Sequence, residues 1–140
     1  MMQSMEFSLG QLSNIAEQVI AAAKRSFAAE HATLVTFSGD LGAGKTTLIQ
    51  EIAKQLGVTE TLQSPTYVIY KRYGNIIHGD MYRLESSDEI LKLGWNELLA
   101  DPKNILLIEW PEKIEAVIPE WAVKVVLRYN SVDTRSIDIV

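Results

Sequence analysis

The chain has 140 residues, 47% hydrophobic and 22% charged, which is typical of a globular protein and predicts one domain, residues 1–140. It has no cysteine, which excludes disulfides, thiolate metal sites and cysteine nucleophiles, and its net charge of −5 argues against a strongly basic nucleic-acid surface. No apolar run approaches the roughly 20 residues of a membrane span, and Met1 to Phe7 lacks secretory-signal features, so we expect a cytoplasmic protein.

The chain is predicted to open with a short strand and an amphipathic helix. Met5 to Ser8 is the strand, and Ser8 with Gln11 matches a capping box, in which paired side chains satisfy free N–H groups at a helix start. Apolar residues then recur at helical spacing, which predicts a helix that packs on a sheet and ends near Ala29. Those residues are Leu12, Ile15, Ala16, Val19, Ile20, Ala23 and Phe27.

The stretch from Gly39 to Thr46, GDLGAGKT, matches the phosphate-binding loop G-x-x-x-x-G-K-S/T of P-loop NTPases. The run Thr33 to Ser38 before it predicts a buried strand. Apolar residues at helical spacing after Lys45 predict a helix that stops at Gly57. Strand, glycine loop and helix follow each other in the order that phosphate binding requires.

Each residue type in this loop has a physical task. Glycines let the backbone adopt positive φ, so that successive N–H groups form a concave anion site at a helix N-terminus. Lys45 can reach the β- and γ-phosphates, and the Thr46 hydroxyl is placed to ligate Mg²⁺. The alternative, a glycine-rich turn before an ordinary helix, gives no reason for a lysine and a threonine directly after the glycines.

The segment Thr61 to Thr66, TLQSPT, is interpreted first as an extended connector and second as a switch-like loop with hydroxyls near the γ-phosphate. Two strands follow, Tyr67 to Tyr73 and Ile76 to Asp80, joined by a Gly-Asn hairpin signal. Asp80 therefore lies where ligands bind in open α/β sheets, and it could orient water or bind Mg²⁺ through water. A helix cap or an ion pair with Arg83 is the alternative.

The second half of the chain supplies another acid at a strand end. Ser86 with Glu89 is a capping box for a helix that Gly94 bends or ends. The apolar run Ile105 to Ile108 predicts a central strand buried on both faces, which delivers Glu109 to the sheet's carboxyl edge. An apolar strand that ends in an acid after a P-loop is the Walker-B arrangement, which holds Mg²⁺ or polarises water. An ordinary acid at a strand end is the alternative.

Ala122 to Tyr129 and Ser136 to Val140 alternate as a terminal antiparallel pair, so the whole pattern predicts an α/β P-loop fold with a mixed central sheet flanked by helices. No guanine-reading Asn-Lys-x-Asp motif follows the P-loop, which favours an adenine nucleotide. A small-molecule kinase and a nucleotide-dependent binding module are the alternatives to an ATPase. Against the kinase, basic residues are scattered rather than gathered in a lid; those near the proposed site are Arg72, Arg83 and Lys113.

Several motifs in order resemble the TsaE (YjeE) family from about Gly39 to Lys113: GDLGAGKTT, SPTY, HGDMYR, LG with an acid soon after, and IEWPEK. The resemblance implies an ATPase, with ATP/ADP and Mg²⁺ as cofactors, that is needed to make threonylcarbamoyladenosine beside the anticodon of certain tRNAs. It also implies partners, a TsaD-like carbamoyl transferase and its TsaB-like companion, which ATP hydrolysis resets between rounds. Contact with tRNA would be indirect or weak, and no membrane is implied.

The resemblance assigns site residues as well. It implies catalytic or switching roles for Asp80, Glu109 and Thr66, and Mg²⁺ on Thr46 and Glu109. At two positions this chain departs from the family: Gly79 replaces a bulky residue, which predicts loose packing behind Asp80, and Thr134 replaces a glycine before the C-terminal arginine. The implied nucleotide-binding set is Gly39, Asp40, Leu41, Gly42, Ala43, Gly44, Lys45, Thr46, Thr47 and Arg135.

Overall fold

A computed structural model describes residues 3–25, 30–40, 42–63 and 68–140, which form a seven-stranded sheet with helices on both faces. The first half contains β1 (Gln3–Ser8), α1 (Leu12–Arg25), β2 (Thr33–Ser38), α2 (Lys45–Gln55), β3 (Tyr70–Tyr73) and β4 (Ile76–Asp80). The second half contains α3 (Ser87–Lys92), α4 (Trp95–Ala100), β5 (Ile105–Glu109), β6 (Val123–Tyr129) and β7 (Thr134–Ile139). Short 3₁₀ turns lie at Leu9–Gln11 and Pro111–Val117.

The sheet is mixed, as predicted, with the strand order β1-β7-β6-β2-β5-β4-β3. The four central strands β6, β2, β5 and β4 are parallel, while β1, β7 and β3 pair antiparallel with their neighbours. Parallel strands bring their carboxyl ends to one edge, so the ends of β2, β4 and β5 lie side by side there. In that register Glu109 is opposite both Phe37 and Asp80.

Strands β2, β4 and β5 are buried on both faces, which explains their largely apolar runs. Val35, Phe37 and Leu107 face the core beneath α1 and α2, whereas Leu34 and Leu106 face a second core beneath α3, α4 and the 111–117 turn. Burial of each such side chain stabilises the fold by about 1.5–3 kcal/mol. Because side chains alternate along a strand, Glu109 follows Leu107 onto the face where α2 begins.

Several local predictions are confirmed. The P-loop strand has the predicted bounds, and the Ser8 N–H donates to Gln11 Oε1 at 2.9 Å while the Ser86 N–H donates to Glu89 Oε2 at 3.1 Å. The first capping box opens the 3₁₀ turn before α1 rather than α1 itself. Positions 26–29, where the first helix was predicted to end, and residue 67, where a strand was predicted to begin, lie outside the described residues. The strand is shorter than predicted, because it begins at Tyr70 and does not include Val68 and Ile69. No helix in the described ranges is long and apolar enough to span a membrane.

The prediction of loose packing behind Asp80 is wrong. A Cβ at Gly79 would lie 2.8 Å from Met81 Cε and 2.9 Å from Ile108 Cδ1, so the space is already filled. Met81 and Ile108 are themselves buried. The neighbours of Gly79 therefore occupy the volume that a bulkier residue would need.

Candidate functional site

The loop between β2 and α2 lies at the carboxyl edge of the sheet and has the geometry of an anion cradle. Gly39 has φ +143°, and a Cβ there would lie 2.4 Å from the Leu127 backbone oxygen of β6, so the loop requires glycine at this position. Cβ atoms at Gly42 and Gly44 would meet nothing within 4 Å, which leaves the backbone open to a phosphate. The Ala43 N–H donates to the Asp40 carbonyl at 3.0 Å and closes the turn.

Lys45 begins α2 and folds back over this loop. Its Nζ donates to the Gly39 carbonyl and lies 3.7 Å from the centre of the Trp110 ring. The residue is only 5% exposed, and burial lowers the pKa of its ammonium. Nearby carboxylates oppose that lowering, so the lysine is the cation of an otherwise acidic cluster. In order of effect they belong to Glu109, Glu112, Asp80 and Asp40.

Thr46 and Glu109, the two predicted Mg²⁺ ligands, are in contact. The Thr46 hydroxyl lies 3.0 Å from Glu109 Oε1 and 3.2 Å from Oε2. Glu109 is buried, and its Oε2 is also 2.8 Å from His78 Nε2. A hydroxyl and a carboxylate are hard oxygen ligands of the kind that Mg²⁺ takes together with substrate phosphates and waters. The donor set therefore fits Mg²⁺.

Asp80 lies beside this pair at the end of β4, in register with Glu109. Its Oδ1 accepts the Tyr82 N–H at 3.0 Å. Burial raises the pKa of the Asp80 carboxyl, and the Glu109 charge raises it further, against the Tyr82 hydrogen bond and the Lys45 charge. Within the described ranges Asp80 neither caps a helix nor forms an ion pair with Arg83. Its position beside Glu109 favours the functional interpretation.

The other residues predicted to act at the site include Leu41, Thr47, Thr66 and Arg135. Thr47 is exposed in the first turn of α2, while Leu41 and Thr66 lie outside the described residues. Arg135 donates to the carbonyls of Ser131 at 2.7 Å and Thr134 at 3.0 Å, and its guanidinium lies 4.5 Å from the Tyr129 ring centre. These contacts hold Arg135 within its own hairpin, and its contact with nucleotide stays a prediction.

Sequence reasoning missed His78 and underestimated Trp110. His78 is fully buried against Glu109. Its position two residues before Asp80 could have indicated a role at the site, because residues two apart lie on the same face of a strand. Trp110 belongs to the IEWPEK motif, but the sequence analysis assigned it no role at the site. Its ring covers Lys45, and its backbone has φ +57°, a left-handed conformation that costs roughly 1–2 kcal/mol in a residue with a side chain.

Comparisons with known proteins agree on one family. The TsaE family, described as threonylcarbamoyl adenosine biosynthesis protein TsaE, matches residues 11–137. Proteins named tRNA threonylcarbamoyladenosine biosynthesis protein TsaE are similar to the chain: that of Bacillus subtilis is 36% identical over 126 residues, covering 86% of this chain and 78% of its own length. That of Haemophilus influenzae is 36% identical over 115 residues, covering 79% and 72%. The crystal structure of Bacillus subtilis YdiB superposes with a TM-score of 0.69 at 27% identity, covering 99% of this chain and 86% of that one.

Proposed function

The chain belongs to the TsaE family of threonylcarbamoyl adenosine biosynthesis proteins, and from this premise we propose that it is a cytoplasmic, single-domain, Mg²⁺-dependent ATPase. ATP hydrolysis would sustain the turnover of a TsaB- and TsaD-type complex, with tRNA contacted indirectly or weakly. The observation that carries the proposal is the convergence of Lys45, Thr46 and Glu109 at the P-loop. The P-loop fold itself suggests nucleotide hydrolysis.

The loop would bind the nucleotide through its phosphates. Backbone N–H groups from Gly42 to Thr46 and the N-terminus of α2 offer a site for negative charge. Lys45 would exchange the Gly39 carbonyl and the Trp110 ring for phosphate oxygens. The other proposed nucleotide contacts are Asp40, Leu41, Thr47 and, from the terminal hairpin, Arg135.

Mg²⁺ has a physical reason to be required here. Four carboxylates surround Lys45, so nucleotide phosphates without a divalent cation would meet net negative charge. Thr46 and Glu109 would hold the ion, which when bound supplies positive charge to phosphate oxygens during transfer. Nucleotide affinity should therefore rise with Mg²⁺.

We assign the orientation of the attacking water to Asp80 rather than Glu109. Both Glu109 oxygens are engaged, by Thr46 and His78, and Glu109 is buried, whereas Asp80 is only half-buried. Burial also raises the pKa of the Asp80 carboxyl, which makes its carboxylate a stronger proton acceptor than that of an exposed aspartate. Thr66 is proposed to act in the same region as a switching hydroxyl.

The test is phosphate release from ATP by the purified chain, alone and with the TsaB- and TsaD-like proteins of the same cell. We expect slow release alone, stimulation by the pair, and loss of release in Glu109→Gln while ADP binding in the absence of Mg²⁺ is retained. Release that the pair leaves unchanged would refute the partner-coupled part of the proposal. Phosphate transfer to an added metabolite in the absence of partners would instead establish a kinase.

A further inference from the structure

We propose that His78 is a positioning residue that fixes the rotation of the Glu109 carboxylate, and this role rests on the proposed Mg²⁺-dependent ATPase. His78 lies on β4 and Glu109 at the end of the neighbouring parallel strand β5, and both side chains are on the face where α2 begins. His78 is 0% exposed and its Nε2 is 2.8 Å from Glu109 Oε2. The contact is thus sealed from solvent.

The Thr46 contact alone does not determine how the carboxylate is turned. Its hydroxyl is 3.0 Å from one oxygen of Glu109 and 3.2 Å from the other, so the two oxygens are nearly equivalent to it. His78 contacts only Oε2. It therefore breaks the symmetry and leaves Oε1 beside Thr46, on the side where the proposed Mg²⁺ ligands meet.

The protonation of the ring follows from its surroundings. A carboxylate only accepts hydrogen bonds, so we assign the ring proton to Nε2. His78 Nδ1 is buried and has no hydrogen-bond partner within the described ranges. A proton there would be a buried, unpaired donor, which proteins avoid. His78 is therefore a neutral ring with a single N–H directed at Glu109, as in the outer partners that orient metal-ligating carboxylates.

Two amide variants separate this role from mere packing. In His78→Gln the amide N–H can reach the place of Nε2, whereas in His78→Asn the side chain is one methylene shorter and reaches only the place of Nδ1. The control is His31→Gln, at the other histidine, which stacks on Trp121 at 3.7 Å. The readouts are the ratio of ADP dissociation constants without and with Mg²⁺, and kcat and KM for ATP.

We expect His78→Asn to reduce both the Mg²⁺ enhancement of ADP affinity and kcat by about 10- to 100-fold. ADP affinity without Mg²⁺ should stay close to that of the wild type, which also shows that the variant is folded. His78→Gln should recover most of both quantities, and His31→Gln should change neither. Equal impairment of both His78 variants, or wild-type behaviour of His78→Asn, would overturn the proposal.

A measurement on the unmodified chain tests the contact even if His78→Asn does not fold. The nitrogen NMR spectrum of the two histidine rings should show the proton of His78 on Nε2, with a resonance that shifts in Glu109→Gln. A proton on Nδ1 instead would overturn the proposal. A wild-type chain that binds Mg²⁺ and ADP but hydrolyses no ATP would refute the proposed function alone, because the Mg²⁺ enhancement and the ring spectrum still decide the role of His78.

Discussion

Replacing Lys45 by methionine removes the ammonium while keeping most of the apolar stem, and the structure sets the expected size of the effect. A charge-assisted hydrogen bond to phosphate contributes about 1.5–3 kcal/mol, or roughly 10- to 150-fold in affinity. The wild-type lysine must first give up the Gly39 carbonyl and the Trp110 ring, and the latter contact contributes about 0.5–2 kcal/mol. We therefore predict that Lys45→Met weakens Mg²⁺–ADP binding by about 10-fold, near the lower end of that range in affinity.

The same substitution should change fold stability little. Methionine loses both contacts of the ammonium and leaves the neighbouring carboxylates without that cation. It also removes the cost of burying a charge, which is the largest influence on the pKa of Lys45, so the two effects oppose each other. We expect a change in the free energy of unfolding of about 1 kcal/mol or less in either direction. A large drop would mean that the lysine is chiefly structural.

The assay is isothermal titration with ADP and Mg²⁺, together with thermal unfolding of each variant. Lys54→Met is the matched control, because Lys54 lies on the same helix, is exposed and is in its last turn, away from the phosphate loop. Unchanged ADP affinity in Lys45→Met would refute the assignment of the loop to phosphate binding. Equal weakening in Lys54→Met would show that only net charge matters.

Three further predictions concern single contacts. Trp110→Phe should abolish most of the change in tryptophan fluorescence on ADP binding, because Lys45 leaves the Trp110 ring when it binds phosphate. A fluorescence change equal to that of the wild type would show that another tryptophan gives the signal. Thr46→Val should raise the Mg²⁺ concentration needed for ADP binding about 10-fold while Thr46→Ser does not, and equal behaviour of the two variants would exclude the hydroxyl as a ligand. Hydrogen bonds from Ser4 and from a neighbouring arginine lower the pKa of Asp138 below its ordinary 3.8, so its carboxylate stabilises the fold above that pH. Chemical unfolding of Asp138→Asn should show a deficit at neutral pH that closes as the pH falls below 3.8, and a deficit independent of pH would contradict this linkage.

The sequence alone determined the local features of this protein. The bounds of β2, the start of α2 at Lys45 and the strand that ends at Glu109 match their predictions because hydrophobic periodicity, glycines and caps act over a few residues. The P-loop was identifiable for the same reason, since its chemistry is contained in one contiguous stretch. Family motifs then supplied Arg135 and the proposed partners.

Only the tertiary structure decided which of these elements meet. The strand order places β4 beside β5, which brings Asp80 and His78 next to Glu109. The packing of α2 on the sheet places Lys45 against the Trp110 ring. In the folded chain Met81 and Ile108 fill the space beside Gly79, although the departure from the family pattern at Gly79 predicted loose packing there. These contacts join residues far apart in the chain, and their energies depend on burial and register that no local pattern encodes.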